Sequence, residues 1–261
     1  MAGGRPTARE TPLRVLILGG YGTFGGRLAR LLRDEPGLAL ILAGRDLAKA
    51  RAFCDGQANA TPARVDRDGD LVAQLAPLAP DVVVDASGPF QAYGPKPYRV
   101  AEACLALGCH CLDLADGRAF VTGIAALDAA AQARGIVVLS GLSTLPALSQ
   151  AVVRHLAGDL ALESVTIGVA PSPFAGMGLS VVRAVAGYAG KRLGQGHALI
   201  DARRLVVAPP GCLPLRPRRF LLCEVPDDAL LPGVALWAGA GTEPALLQRL
   251  LVALLLEAGA Q

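Results

Sequence analysis

The run Ser87-Gly88-Pro89-Phe90-Gln91-Ala92-Tyr93-Gly94-Pro95-Lys96 sets a phenol and an ammonium group three positions apart. A phenol can donate a proton to a developing oxyanion, and a neighbouring cation makes it more acidic. Tyr93 and Lys96 are therefore the candidate acid–base residues. Their spacing is one residue short of a Tyr-x-x-x-Lys pair, and Pro95 disfavours a helix that would align them. Tyr188 and Lys191 repeat the same short spacing. Gly141-Leu142-Ser143-Thr144-Leu145 lacks the closing glycine of a nucleophile elbow. His110 falls in a strand-like run, and His155 and His197 lie near apolar segments, so no histidine relay is evident. Cys109-His110-Cys111 has the residue types of a metal site. Alternate strand residues point to opposite faces and no second ligand pair accompanies them, so no metal is expected.

A second constellation precedes these groups. Residues 13–32 read LRVLILGGYGTFGGRLARLL: an apolar run, spaced glycines, then an amphipathic segment. Gly20-x-Gly22-x-x-Gly25 matches the dinucleotide fingerprint. One glycine allows the tight strand-to-helix turn, one lets backbone approach a pyrophosphate, and one lets helix and strand pack closely. The helix that follows directs unpaired N–H groups and its positive dipole end at the phosphates. Gly19, Gly20, Tyr21, Gly22, Thr23, Phe24 and Gly25 are thus the expected cofactor turn. About twenty residues on, NAD sites place an acid that binds the ribose hydroxyls. Here the strand ends Ile-Leu-Ala-Gly-Arg-Asp, with Arg45 in that position and Asp46 one beyond. Arginine pairs bidentately with phosphate and stacks on adenine, so the pattern favours NADP(H) over NAD(H). Asp66 ends the next strand and could accept from the adenine amino group, or cap a helix. Ser87, Gly88 and Pro89 end the fourth strand on the nicotinamide side, and Asp113 ends the fifth.

The elements that must hold these residues alternate. Apolar strands at LRVLILGG, LALILAG, PARVD, DVVVDASG, CHCLDLAD and IVVLSG interleave with helical patterns at GGRLARLLRDE, DLAKARAFCDG, DGDLVAQLAPL, KPYRVAEACLALG and IAALDAAAQARG. That order predicts an α/β fold: a Rossmann-type doubly wound parallel sheet covered on both faces. Beyond residue 146 the pattern changes. ESVTIGVAPSP and HALIDARRLVVAP read as strands and MGLSVVRAVAGYAGK as a helix, while APPGCLPLRPRRF is proline-rich and punctuated. The expected organisation is a disordered lead-in over 1–12, a dinucleotide-binding domain over 13–146, and a smaller α+β domain over 147–261 for substrate or dimerisation. That domain would close with a C-terminal helix in LLQRLLVALLLEA.

Composition narrows the partners. Of 261 residues, 52% are apolar and 18% charged, enough for a core and without a disorder signature. The net charge of +3 is spread along the chain rather than gathered in a basic stripe, so nucleic acid is not an expected partner. The N-terminus lacks an apolar signal core and no run is long enough to span a bilayer, which points to a cytoplasmic chain with reduced cysteines. A small-molecule substrate is expected, and a homodimer through 147–261 is a further expectation.

Taken together, GGYGTFGGRLARLL, ILAGRDLAKA, DVVVDASGPFQAYG, VAEACLALGCHCLDLADGRAF and GIVVLSGLSTLPALS resemble the saccharopine dehydrogenase-like oxidoreductases, closest to bacterial members of uncertain substrate. The likeness runs strongly over residues 13–150 and weakly beyond. It implies an NADP-binding Rossmann domain with an inserted α+β domain. By position it implies Gly20, Gly22 and Gly25 on the pyrophosphate, Arg45 on the 2′-phosphate, Asp66 on the adenine, and Ser87 with Gly88 beside the nicotinamide. The family usually has an aromatic residue where Cys111 stands, and this chain is shorter than most members. Three functions fit: an NADP-dependent oxidoreductase moving hydride to or from an imine, ketone or activated alkene; a non-catalytic NADP-binding sensor; and an atypical short-chain dehydrogenase or epimerase-like enzyme.

Overall fold

The computed structural model describes residues 11–169, 202–205 and 218–240. The N-terminal lead-in before residue 11, the expected helix over 177–191 with Tyr188 and Lys191, His197, Cys212 and the C-terminal helix lie outside them. The chain divides into two compact units. One holds the described residues through Ala115 together with Gly123–Leu142; the other holds Asp116–Thr122 and the described residues from Ser143 onward.

In the first unit the chain runs β1 (Leu13–Leu18), α1 (Thr23–Leu32), β2 (Leu38–Gly44), α2 (Leu47–Cys54), β3 (Ala60–Arg64), α3 (Leu71–Leu75), β4 (Val82–Asp85), α4 (Arg99–Leu107) and β5 (His110–Asp113). After α5 (Arg118–Gly123), which belongs to the second unit except for Gly123, the first unit resumes with α6 (Asp128–Arg134) and β6 (Val138–Leu139). The strands form one sheet in the order β3-β2-β1-β4-β5-β6, with parallel pairing throughout. This is the Rossmann order, and strand order reverses between β1 and β4.

Strand alternation feeds two cores. Leu16, Leu18, Ile41, Ala43, Ala63, Val65 and Val83 pack with Leu71, Leu75, Val100 and Cys104 of α3 and α4. Val15, Ile17, Leu40, Leu42 and Val84 pack with Ala29 and Cys54 of α1 and α2. Leu16, Ile17 and Leu42 are fully buried. Each such side chain contributes about 1.5–3 kcal/mol. A sheet buried on both faces needs continuous apolar runs, which is why LRVLIL and LALILAG carry no polar alternation.

The helix starts are local devices. Asp46 caps α2 by accepting from the Lys49 amide at 3.1 Å, and Asp70 caps α3 by accepting from the Ala73 amide at 3.0 Å. No side chain caps α1, whose N-cap is Gly22 and whose first turn holds no acid. Several elements are shorter than the patterns suggest. DGDLVAQLAPL becomes α3 followed by a 3-10 turn at Ala76–Leu78, because Pro77 cannot continue an α-helix. IAALDAAAQARG opens as a 3-10 turn at Ile124–Leu127 before α6. IVVLSG pairs only through β6, two residues on the sheet edge.

In the second unit, α7 (Ser149–Ala157) leads to β7 (Ser164–Val169), β8 (Ala202–Leu205), β9 (Arg218–Leu222), α8 (Asp227–Leu230) and β10 (Ala235–Ala240). The sheet order is β7-β10-β9-β8, with β10 parallel to β7 and antiparallel to β9. Phe220, Trp237 and Ala238 are buried in this unit. The smaller α+β region is therefore present, and β9 begins in the last three residues of the proline-rich, punctuated stretch. Its pairing with β8 and β10 overrides a weak local preference.

Candidate functional site

The carboxyl ends of β1, β2, β3 and β4 bring the glycine turn, Arg45, Asp66 and the Ser87–Tyr93 segment to one edge of the sheet. Gly19 leaves β1 at φ +79°, a conformation side chains rarely adopt, and a β-carbon there would meet the Ala86 carbonyl oxygen at 2.8 Å and the Ser87 Cα at 3.0 Å. The glycine turn and the serine turn are therefore in backbone contact. A β-carbon on Gly20 would meet the Ile17 carbonyl oxygen at 2.8 Å, and one on Gly25 would collide with the Gly19 carbonyl oxygen. Gly22 differs. Its β-position meets the Gly19 oxygen alone, at 3.1 Å, and otherwise opens outward. Thr23 and Phe24 are exposed at the uncapped start of α1. Close packing at Gly20 and Gly25 with an open face at Gly22 is the shape a phosphate-binding turn requires.

Tyr21 fixes this turn to β2. Its hydroxyl accepts from the Asp46 amide at 2.9 Å, and its ring fills the space where a side chain on Gly44 would stand. Arg45 follows Gly44 and is exposed. Asp46 faces its own helix. Beyond capping α2 it lies 3.7 Å from the Lys49 ammonium, and the Lys49 amide holds its carboxyl below the ordinary carboxylate range. Arg64, at the end of β3, donates from Nε to the Arg45 carbonyl at 3.3 Å. Asp66 is half-buried. Its Oδ1 accepts from the Asp68 amide at 3.1 Å, and its own amide donates to Gln74 Oε1 at 2.7 Å, so it shapes a turn while Asp70 is the helix cap.

At the end of β4, Asp85 is 2% exposed. Its Oδ1 accepts from the Ser87 amide at 2.9 Å and the Ser87 hydroxyl at 2.6 Å. The Tyr93 hydroxyl lies 2.8 Å from Ser87 Oγ and 3.1 Å from Asp85 Oδ2. Burial pushes the Asp85 carboxyl above its ordinary range, partly offset by the Ser87 and Tyr93 donors and by the charge of Arg67. Burial and the neighbouring Asp85 push the Tyr93 phenol up as well, so Tyr93 keeps its proton. Gly88–Pro89 is a cis peptide, and Phe90 is buried against the Tyr93 ring at 5.0 Å between centroids. Lys96 is exposed, with no hydrogen bond or ion pair to another described residue. Tyr93 is thus joined to the serine turn, and Lys96 is not joined to Tyr93.

Asp113 is occupied otherwise. Its Oδ1 accepts from the Ala115 amide, the Ser140 hydroxyl and the Gly141 amide, each at 2.9 Å, tying β5 to the end of β6. His110 Nδ1 accepts from the Val137 amide at 3.0 Å, and Cys109 and Cys111 are buried in the core.

Three residues of this edge escape a reading of the sequence: Asp85, Arg64 and Arg67. Asp85 left one trace, an acid closing the apolar run Val82-Val83-Val84 at a strand's carboxyl end. Arg64 and Arg67 left none, because the groups that tie them into this edge, the Arg45 carbonyl and the Tyr93 ring, lie 19 and 26 positions away.

Sheet order, glycine turn and uncapped helix are those of a dinucleotide-binding domain. Residues 15–139 match the family described as Saccharopine dehydrogenase NADP binding domain. No curated protein matches it in sequence. Among solved structures, apo saccharopine dehydrogenase (L-Glu forming) from Saccharomyces cerevisiae is 16% identical with a TM-score of 0.58, the match covering 88% of this chain and 54% of that one. The chain therefore spans about half the length of the yeast enzyme, and the likeness is one of fold. GenD2 from gentamicin A biosynthesis, in complex with NAD, is 19% identical, with a TM-score of 0.48 over 93% of this chain and 68% of that one. Biliverdin reductase from Synechocystis sp. PCC 6803, with biliverdin and NADP+, is 18% identical, with a TM-score of 0.44 over 89% and 72%. Among the described residues no helix is long and apolar enough to cross a membrane.

Proposed function

We propose that the protein is an NADP(H)-dependent oxidoreductase that transfers hydride to or from a small imine, ketone or activated alkene. The observation that carries the cofactor choice is the division of labour at the end of β2: Asp46 is turned into α2 as its cap, while Arg45 stands exposed. A carboxylate engaged in that way is a poor acceptor for a ribose diol, and an exposed guanidinium suits a phosphate.

In this reading the backbone of Gly20, Gly22 and Gly25 and the free N–H groups at Thr23 and Phe24 hold the pyrophosphate, with Gly19 and Tyr21 shaping the turn. Arg45 holds the 2′-phosphate, and Asp66 faces the adenine with the carboxylate oxygen that Asp68 does not use. Ser87, Gly88 and Pro89 border the nicotinamide, which when bound supplies or accepts the hydride. Tyr93, protonated and fixed by Asp85 and Ser87, is the hydrogen-bond donor nearest that turn. Lys96 is the nearest exposed cation and the second acid–base candidate. The row Leu148, Val152, Leu156 and Leu160, exposed at intervals of four, supports pairing of two copies through the second unit.

The competing reading is a cofactor-binding sensor, favoured by a Tyr93 proton already engaged with Asp85. Absorbance of NADPH at 340 nm in the presence of small imines, ketones and enones separates the two. Turnover that falls in Tyr93→Phe while NADPH affinity holds supports the enzyme. Tight NADPH binding with no oxidation of NADPH by any of these classes supports the sensor.

A further inference from the structure

We infer that Arg64 is a second arm of the phosphate clamp and a determinant of cofactor choice, an inference that rests on the NADP reading above. Nothing in the glycine fingerprint or in the end of β2 points to it; the sheet register does. β2 and β3 pair Gly44 with Arg64, and the ladder continues one step further through a hydrogen bond from the Val65 amide to the Gly44 carbonyl at 3.0 Å. Arg45 is the first residue past that pair, so Arg64 stands beside the Arg45 backbone at adjacent strand ends. The bond from Arg64 Nε to the Arg45 carbonyl at 3.3 Å holds the base of the Arg64 guanidinium and leaves its terminal nitrogens as donors.

Both residues are exposed, and the carboxylate that follows Arg45 in the chain is engaged. Asp46 accepts from the Lys49 amide and lies 3.7 Å from the Lys49 ammonium. The Asp46 amide is fixed by Tyr21. The ends of β2 and β3 thus carry Arg45, Arg64 and Lys49 beside Asp46, which Lys49 engages, and Asp66, whose Oδ1 accepts from the Asp68 amide. A phosphate dianion reached by both side chains takes fork donors from each guanidinium. A ribose diol does neither. The alternative role for Arg64 is a strut that holds the Arg45 carbonyl and never meets the ligand.

The test measures dissociation constants for NADPH, NADH, 2′,5′-ADP and 5′-ADP in the full chain, wild type, Arg64→Ala and Arg64→Lys. A clamp arm predicts that Arg64→Ala weakens NADPH and 2′,5′-ADP by about ten- to a hundredfold, the range for a lost charge-assisted contact. NADH and 5′-ADP should shift by less than about twofold, the range of a neutral surface change. Arg64→Lys, which keeps the charge without the fork, should recover part of the loss. Equal weakening of phosphorylated and unphosphorylated ligands in Arg64→Ala makes Arg64 a strut and overturns the inference, as does no change in any of them. Failure of the underlying reading shows separately, in a wild-type protein that binds NADPH and NADH equally.

Discussion

The Arg67 guanidinium lies against the face of the Tyr93 ring, Cζ 3.2 Å from the ring centroid, while the Tyr93 hydroxyl meets Asp85. The turn after β3 is thereby joined to the turn after β4. Arg99 joins them a second time, donating to the Asp68 and Gly69 carbonyls at 3.0 and 2.7 Å. Cation, ring and buried carboxylate form one stack, and the positive charge over the ring partly compensates the carboxylate beyond it.

That stack should be measurable as a coupling energy. In a double-mutant cycle of Arg67→Met and Tyr93→Leu, followed by urea denaturation, the interaction energy should be about 0.5–2 kcal/mol. Strict additivity of the two single losses would mean that the contact contributes nothing to stability.

Asp85 contributes to the pH dependence of the first unit. Burial raises its folded-state pKa above the unfolded value of about 4. The folded chain then holds the proton more tightly than the unfolded chain. The contribution is fully favourable below the unfolded pKa and is lost as pH rises through the folded one. Asp85→Asn keeps an acceptor for the Ser87 amide and hydroxyl and removes the charge. Its melting temperature at neutral pH should equal or exceed that of the wild type, with the difference shrinking toward about pH 4. A lower melting temperature at pH 7 with none lost at pH 4 would show the ionised carboxylate to be stabilising.

Gly22 and Gly25 should separate binding from folding. A β-carbon at Gly25 collides with the Gly19 carbonyl, so Gly25→Ala should lose about 1–3 kcal/mol of stability in denaturant melts. Gly22 opens outward, so Gly22→Val should keep its circular dichroism spectrum and lose NADPH binding. Normal affinity in Gly22→Val would make the glycine turn a structural feature alone.

In the second unit, Asp227 is fully buried and its Oδ1 accepts from the Ser149 hydroxyl and from Gln150 Nε2. Asp227→Ala strands both donors and should cost about 1–3 kcal/mol. Asp227→Asn retains the Oδ1 acceptor and should recover most of that loss in the same thermal melts. An alanine variant as stable as the wild type would show that the hydroxyl and amide find other partners.

The parts of this protein written in single elements are legible in its sequence. Leu13–Leu18 and Leu38–Gly44 announce buried strands because both faces of each are covered, and Gly20, Gly22 and Gly25 announce the turn because their spacing is a local steric requirement. Arg45 is readable for the same reason, sitting at a fixed distance from that turn. What stays hidden depends on chain segments meeting. Asp85 looks like the end of a valine run until Tyr93 folds back onto it, and Arg64 looks like a surface arginine until β2 and β3 come into register. Arg218–Leu222 reads as a loop beside prolines and becomes a strand only through its neighbours in the sheet. Asp113 fits either a functional or a structural reading, and three donors at 2.9 Å account for it structurally.

The central claim is that this sheet edge selects a dinucleotide carrying a 2′-phosphate. Fluorescence titration of the purified wild-type chain with NADPH and with NADH tests it most directly. The account predicts NADPH to bind at least about tenfold more tightly, the equivalent of one charge-assisted contact, with the preference abolished or reversed in Arg45→Asp. Equal affinities for the two cofactors, or a preference for NADH, would contradict it.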